Sequence, residues 1–282
     1  MPFDSTGKIS FDDIYTEPDP RAFFGTLREL DYQIPQLAKP YITKLIEEFR
    51  AELGVAEPTV LDVGCSYGVN AALHRCDTTM DQLYDHYSSA EALDRDRLIA
   101  RDRQLVHSHA LPEKTRFIGL DTSGPALDYA LAAGFLDRTI HANLEDDDPD
   151  DDQRELLAGT DLVVSTGCLG YVTEKTLVRI ARDSRPWMAH FVLRMFSYDP
   201  IAESLAELGY ETASIDGVFR QRRFASGEEQ TQILDTLSVA GVDPRGLESE
   251  GWLYAKLFVS RPRGAATGLA SALNSVSHEE RG

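Results

Sequence analysis

The stretch Thr59-Val60-Leu61-Asp62-Val63-Gly64-Cys65-Ser66-Tyr67-Gly68-Val69-Asn70 decides how the chain is read. Its apolar run carries one carboxylate, Asp62, breaks into Gly64 and Gly68, and passes into the helix-forming Ala71-Ala72-Leu73. That is the pattern of a buried strand, a tight turn and a helix. Gly64 can take backbone angles closed to other residues, and Gly68 leaves room for a ligand or for the next helix. The helix start presents free N–H groups and a positive dipole end, which suit carboxylate or phosphate oxygens. Two glycines alone would serve a packed turn that binds nothing, so the reading depends on what surrounds them.

Before this stretch, residues 1–20 look irregular, and two apolar series, one from Phe23 to Leu30 and one from Leu37 to Leu53, have helical spacing. After it, the next strand, Phe117-Ile118-Gly119-Leu120-Asp121, comes so late that 75–112 reads as an insertion, with a charge-laced helix facing solvent at 93–103. Ser123 and Pro125 open a helix that Gly134 ends, and Arg138-Thr139-Ile140-His141-Ala142 is a third strand. The acidic run 145–152 reads as a solvated loop leading into a short helix near 153–157. Strands follow at 160–166, 188–194, 210–219 and 251–260, separated by helices at 173–181, 200–208 and 227–240. This alternation implies an α/β fold, a doubly wound and mostly parallel sheet of seven strands whose last pair is antiparallel. The expected organisation is an N-terminal helical cap at 1–55, an α/β domain at 56–262 and a flexible tail at 263–282. The insertion serves as lid and acceptor region.

The chain has 282 residues, enough for one large α/β domain. With 47 acidic and 28 basic residues its formal charge is −19, which disfavours a phosphate-backbone partner. Three cysteines without CxxC spacing suggest neither a disulfide framework nor a zinc site. No apolar run approaches a membrane span and no signal peptide opens the chain, so a cytoplasmic protein without a metal or membrane partner is expected, a homodimer being left open.

With both strand ends in view, the chain resembles the class I S-adenosylmethionine-dependent methyltransferases of small-molecule type. Leu61 to Gly68 is similar to their first motif, acid-x-Gly-x-Gly-x-Gly, with Ser66 at the middle glycine. Ile118 to Leu127 resembles the second motif, and Asp161 to Val172 the strand-four motif. The resemblance implies a Rossmann-like methyltransferase fold and S-adenosyl-L-methionine as cofactor. It places Asp121, with Thr122, at the ribose, and Asn143 and Leu144 at adenine. Asp62 takes the amino end of the methionine moiety, the turn Gly64, Cys65, Ser66 and Gly68 lies beneath the ligand, and Ser165, Thr166 and Gly167 face the sulfonium. A dinucleotide fingerprint fits less well: position 66 is serine, the spacing is Gly64-x-x-x-Gly68, and 53 residues separate Gly68 from Asp121.

Methyl transfer requires in-line alignment, exclusion of water and, for a protonated acceptor, a base. Tyr171, His86 and Arg194 are the catalytic candidates, and Tyr15, Tyr32, Tyr84 and Tyr87 the substrate-binding ones. Arg220-Gln221-Arg222-Arg223 either faces an anionic acceptor or forms a solvated edge. Strand four lacks Asn/Asp-Pro-Pro-Tyr and no Pro-Cys nucleophile is present, which leaves a small-molecule acceptor attacked at N, O or C. Two other readings stay open: transfer or cyclisation of the cofactor's aminocarboxypropyl arm, and a binding-only or partner protein.

Overall fold

The computed structural model describes residue 4 and residues 6–108, 114–264 and 268–279. Three helices precede the first strand: α1 (Asp12–Tyr15), α2 (Arg21–Glu29) and α3 (Ile34–Leu53). Pro35 sits in the first turn of α3, and Gly54, at φ 69°, ends it in the left-handed conformation. Then come β1 (Thr59–Val63), α4 (Val69–Arg75), α5 (Met80–Ser88), α6 (Arg95–Ser108), β2 (Arg116–Asp121), α7 (Gly124–Ala133) and β3 (Arg138–His141). The second half holds α8 (Asp151–Ala158), β4 (Leu162–Thr166), α9 (Glu174–Ser184), β5 (Trp187–Leu193), α10 (Asp199–Glu207), β6 (Tyr210–Ser214), β7 (Phe219–Arg223), α11 (Gly227–Val239), β8 (Trp252–Pro262) and α12 (Leu269–Glu279). The caps are those the residues favour: Ser123 accepts from the Ala126 amide at α7, and Asp150 with Gln153 forms a capping box at α8.

The strands lie in the order β3-β2-β1-β4-β5-β8-β6. β1 to β5 are mutually parallel, and β8 runs antiparallel to β5. β6 and β7 both pair antiparallel with β8, one after the other along its outer edge. Eight strands therefore fill seven positions of the doubly wound, mostly parallel sheet that the β-α alternation implies. The single strand expected at 210–219 is broken because the four residues between Ser214 and Phe219 face only two on β8, those between Phe258 and Ala255. Side chains alternate across the sheet. Val60 and Val164 pack with α3, α4 and α7 on one face, and Leu61, Val63 and Val163 pack with α9 and α10 on the other. Every residue of β1 is buried, which explains its unbroken apolar reading.

Three expectations need correction here. Residues 269–279 form a helix rather than a flexible tail, with Leu269 and Leu273 buried in the core that includes α3; residues 265–267 and 280–282 lie outside the described residues. The helix through 93–103 is not all solvent-facing, since Asp102 is 0% exposed and accepts hydrogen bonds from Tyr87 and Tyr129, with His86 Nε2 2.6 Å away. The insertion packs its α5 on α2 and its α6 on α7, and its residues 109–112 lie outside those described.

Candidate functional site

The strand order reverses between β1 and β4, and in open α/β sheets ligands bind outside the carboxyl ends of the strands at such a switch point. A cavity of about 790 Å³ lies there. Its floor is the turn after β1 with the ends of β2 and β4, and its roof is an N-terminal strap that includes Ile9, Phe11, Tyr15 and Thr16. A recess of about 410 Å³ shares its Thr122, Ala142, Asn143 and Leu144 walls.

The turn is held by Asp121. One carboxylate oxygen accepts the Ser66 amide at 2.8 Å and the other the Ser123 amide at 2.9 Å. Each oxygen keeps a further lone pair, so the same carboxylate can accept two hydroxyls from a ligand. Gly64 has φ 68°, and a Cβ there would stand 2.6 Å from Cys168 Cβ. Ser66 takes the left-handed conformation at φ 49° without being glycine, and its Oγ is buried without a partner. Of the two uses expected for Gly68, room for a helix is the one seen, with α7 rather than the next helix: a Cβ there would stand 3.2 Å from Ala130 Cβ and 3.4 Å from Leu136.

Behind the floor, Asp62 is 1% exposed. Burial pushes its carboxyl up to about 7, opposed by the hydrogen bonds from Asn70 and helped by the charge of Asp121. Asn70 Nδ2 donates to both Asp62 oxygens, at 3.0 and 3.2 Å, and to Thr166 Oγ1 at 3.1 Å. Its own Oδ1 is buried without a partner on a residue that lines the cavity. The arrangement suits a ligand that brings positive charge and N–H donors to this point.

The strap is tied down at several points. Tyr67 Oη donates to the carbonyls of Ile14 and Glu17 at 3.1 and 2.8 Å, and Ser123 Oγ to that of Tyr15 at 2.6 Å. The Ile9 amide donates to Glu229, which forms a buried two-point ion pair with Arg222. Tyr171 Oη donates to Asp4.

Of the residues singled out in the sequence, Gly64, Cys65, Ser66, Asp121, Thr122, Asn143, Leu144, Thr166 and Gly167 line the cavity together with Tyr15, Tyr32 and Tyr171. Asp62 stands one residue back, through Asn70. Ser165 is fully buried against His190 Nδ1 at 2.8 Å, away from the cavity wall. His86, Tyr84 and Tyr87 do not line it: His86 and Tyr87 meet at Asp102, and Tyr84 donates to the Tyr32 carbonyl. Arg194 is also elsewhere, paired with Glu248 at 2.5 Å and donating to the Asp243 carbonyl. No described residue of the insertion borders the cavity, because the N-terminal strap fills the place assigned to it. Tyr171 is 42% exposed, but burial of the part of its ring turned to the cavity wall and the bond to Asp4 both push the phenol up. Burial likewise pushes the Cys168 thiol up to about 12.

Sequence reading missed Asp4, Lys8, Asn70 and Glu229, and left Arg222 between two readings, although it is 3% exposed. Asn70 stood inside the decisive stretch, two residues after Gly68; Lys8 and Asp4 carry no local signal. Among the described residues no helix is long and apolar enough to cross a membrane, and no cluster of three or more metal-ligating side chains occurs.

No family model matches the chain, and no curated protein matches it. Solved structures similar to it include magnesium protoporphyrin IX methyltransferase from Synechocystis PCC 6803 with S-adenosylmethionine bound (11% identity, 79% of each chain covered, TM-score 0.38). Others are a TehB-like S-adenosylmethionine-dependent methyltransferase from Corynebacterium glutamicum (15%, 75% of this chain and 85% of that one, 0.33) and the YcgJ protein from Bacillus subtilis (12%, 78% and 98%, 0.42). Likeness at this level transfers no residue role to the present chain.

Proposed function

We propose that the protein is an S-adenosylmethionine-dependent methyltransferase acting on a small molecule. One observation carries this reading: the buried pair Asp62 and Asn70 lies beside the glycine turn, where a dinucleotide would place its pyrophosphate. An anion would be repelled there, whereas an ammonium ion meets the free amide oxygen of Asn70, backed by the buried Asp62 carboxylate. Asp121 offers two acceptors for a ribose diol, and Thr122, Asn143 and Leu144 wall the adjoining adenine end. The backbone at Gly64 and Gly167 gives the close approach that the ligand's chain needs. S-adenosylmethionine supplies a methyl group made electrophilic by its sulfonium. The chain's own contribution is to hold and align. Asp62 and Asn70 fix the amino end, Asp121 fixes the ribose, and Tyr15, Phe23, Leu27 and Pro35, under the closed strap, exclude water. A cavity roofed by the strap and a chain charge of −19 both favour a small acceptor over a nucleic acid.

Calorimetric titration with S-adenosylhomocysteine tests the reading. The protein should bind it, and Asp121→Asn should weaken binding on the order of 10- to 100-fold. That is the loss of about one charge-assisted hydrogen bond of 1.5–3 kcal/mol. No measurable binding by the unaltered protein would sink the proposal. Appearance of methylthioadenosine instead of S-adenosylhomocysteine during turnover would replace methyl transfer by chemistry on the aminocarboxypropyl arm.

A further inference from the structure

The cavity wall carries a cation that no described residue pairs with. Lys8 is 7% exposed and lines the cavity, its Nζ 5.0 Å from the centre of the Tyr171 ring. The carboxylates around it are already committed. Glu229 Oε1 accepts the Ile9 amide at 2.9 Å and Arg222 at 2.6 Å, and its Oε2 accepts Arg222 at 3.0 Å and the Ala225 amide at 2.8 Å. Asp4 Oδ1 accepts from Thr6 twice and from the Lys8 amide, while Oδ2 takes the Tyr171 hydroxyl. Among the described residues Lys8 has no ion pair, and Arg222 repels it. Burial, reinforced by Arg222, lowers the Lys8 ammonium to about 8, although Asp4 and Glu229 attract it from a distance. On the same cavity wall, Gln221, the residue before Arg222, is 5% exposed and has a buried Oε1 without a partner. Its Nε2 lies where a side chain on Gly167 would begin, 2.4 Å from that Cβ position.

A buried, uncompensated ammonium costs several kcal/mol unless something supplies the opposite charge. A buried amide oxygen without a donor is a second, independent vacancy. We propose that Lys8 binds a carboxylate brought into the cavity by a ligand, and that Gln221 Oε1 accepts an N–H or O–H carried next to that carboxylate. The class is an α-amino or α-hydroxy carboxylate. Resting on the reading of the cavity given above, it has two sources: the amino-acid end of the cofactor, or an acceptor of the same chemistry.

The test is calorimetry at pH 7 on the full chain and its Lys8→Met and Lys8→Arg variants. The probes are S-adenosylhomocysteine, methylthioadenosine, which lacks the carboxylate, and glycolate against its neutral amide. If Lys8→Met weakens S-adenosylhomocysteine tenfold or more, leaves methylthioadenosine unchanged and Lys8→Arg restores part of the loss, Lys8 holds the cofactor's carboxylate. If both nucleosides bind as before but the S-adenosylhomocysteine complex loses its binding of glycolate, Lys8 holds the acceptor's. Equal weakening of both nucleosides by Lys8→Met, or no change with any probe, overturns the assignment. An unaltered protein that binds glycolate through Lys8 but neither nucleoside keeps the assignment and removes the methyltransferase reading. Binding of none of the probes removes both.

Discussion

Burial pushes the Asp62 carboxyl up to about 7, far above the 3.8 of an aspartate in water. Between those two values the folded chain binds more protons than the unfolded one, so this residue makes the protein less stable as pH rises from about 4 to about 7, and no further beyond. The penalty is about 1.4 kcal/mol for each unit of the gap. Asp62→Asn should therefore raise the thermal midpoint at pH 8 and change it little at pH 4, because Asn70, with its free Oδ1, can turn to accept from the new amide. Scanning calorimetry at the two pH values checks this. The same carboxylate must be ionised to back an ammonium ion, so affinity for S-adenosylhomocysteine should rise from about pH 5 to about pH 7, where Lys8 still carries its charge, and lose that slope in Asp62→Asn. A slope that survives the substitution would place the titrating group elsewhere.

At the scale of the element, the strap is the part of the chain that turns an open crevice into a cavity. Its carbonyls at Ile14 and Glu17 depend on one hydroxyl, that of Tyr67, which is 1% exposed. Tyr67→Phe leaves the ring packed on Phe23 and Tyr129 but removes both bonds. Two part-buried bonds at about 0.5–1.5 kcal/mol each amount to about 1–3 kcal/mol, so hydrogen exchange at 9–17 should quicken about 5- to 150-fold while β1 and β4 keep their protection. Unchanged exchange in the strap would show that Ser123 and Glu229 hold it without Tyr67. The irregular reading of residues 1–20 agrees with the described backbone there, which forms one helical turn at α1, but it concealed a structural role. That role consists of contacts to Tyr67, Ser123 and Glu229, residues 50 to 220 positions away.

Across the whole molecule, the ion pair between Arg222 on β7 and Glu229 at the start of α11 joins the last third of the chain to its first ten residues. Burial resists the charge on Glu229, but the bonds and charge of Arg222, with the amides of Ile9 and Ala225, outweigh it and hold the carboxyl below its usual value. Its contribution to stability is present at neutral pH and is lost as pH falls below about 4. Arg222→Met strands a buried carboxylate and should cost about 3–5 kcal/mol, read from urea unfolding at pH 7. Adding Glu229→Gln should recover part of that cost and flatten the acid limb of the stability profile. If the single variant unfolds like the unaltered protein, the pair is not buried as described.

The sequence by itself determined the sheet, its β-α alternation and the floor of the cavity. Those features rest on local periodicity and on residues set by backbone geometry, such as Gly64 and the Asp121 that ends β2. Parallel strands joined by helical crossovers then bring their carboxyl ends to one edge of the sheet, whatever the length of the connection. Only the tertiary structure decided which side chains close the site. Arg194 and His86 are turned to Glu248 and Asp102, partners 54 and 16 residues away, while Lys8, Asp4 and Gln221 are brought in from opposite ends of the chain. Charge and polarity along a sequence do not state burial. Burial gives Asp62, Lys8 and Gln221 their chemical character, and it follows from long-range packing that no local pattern encodes.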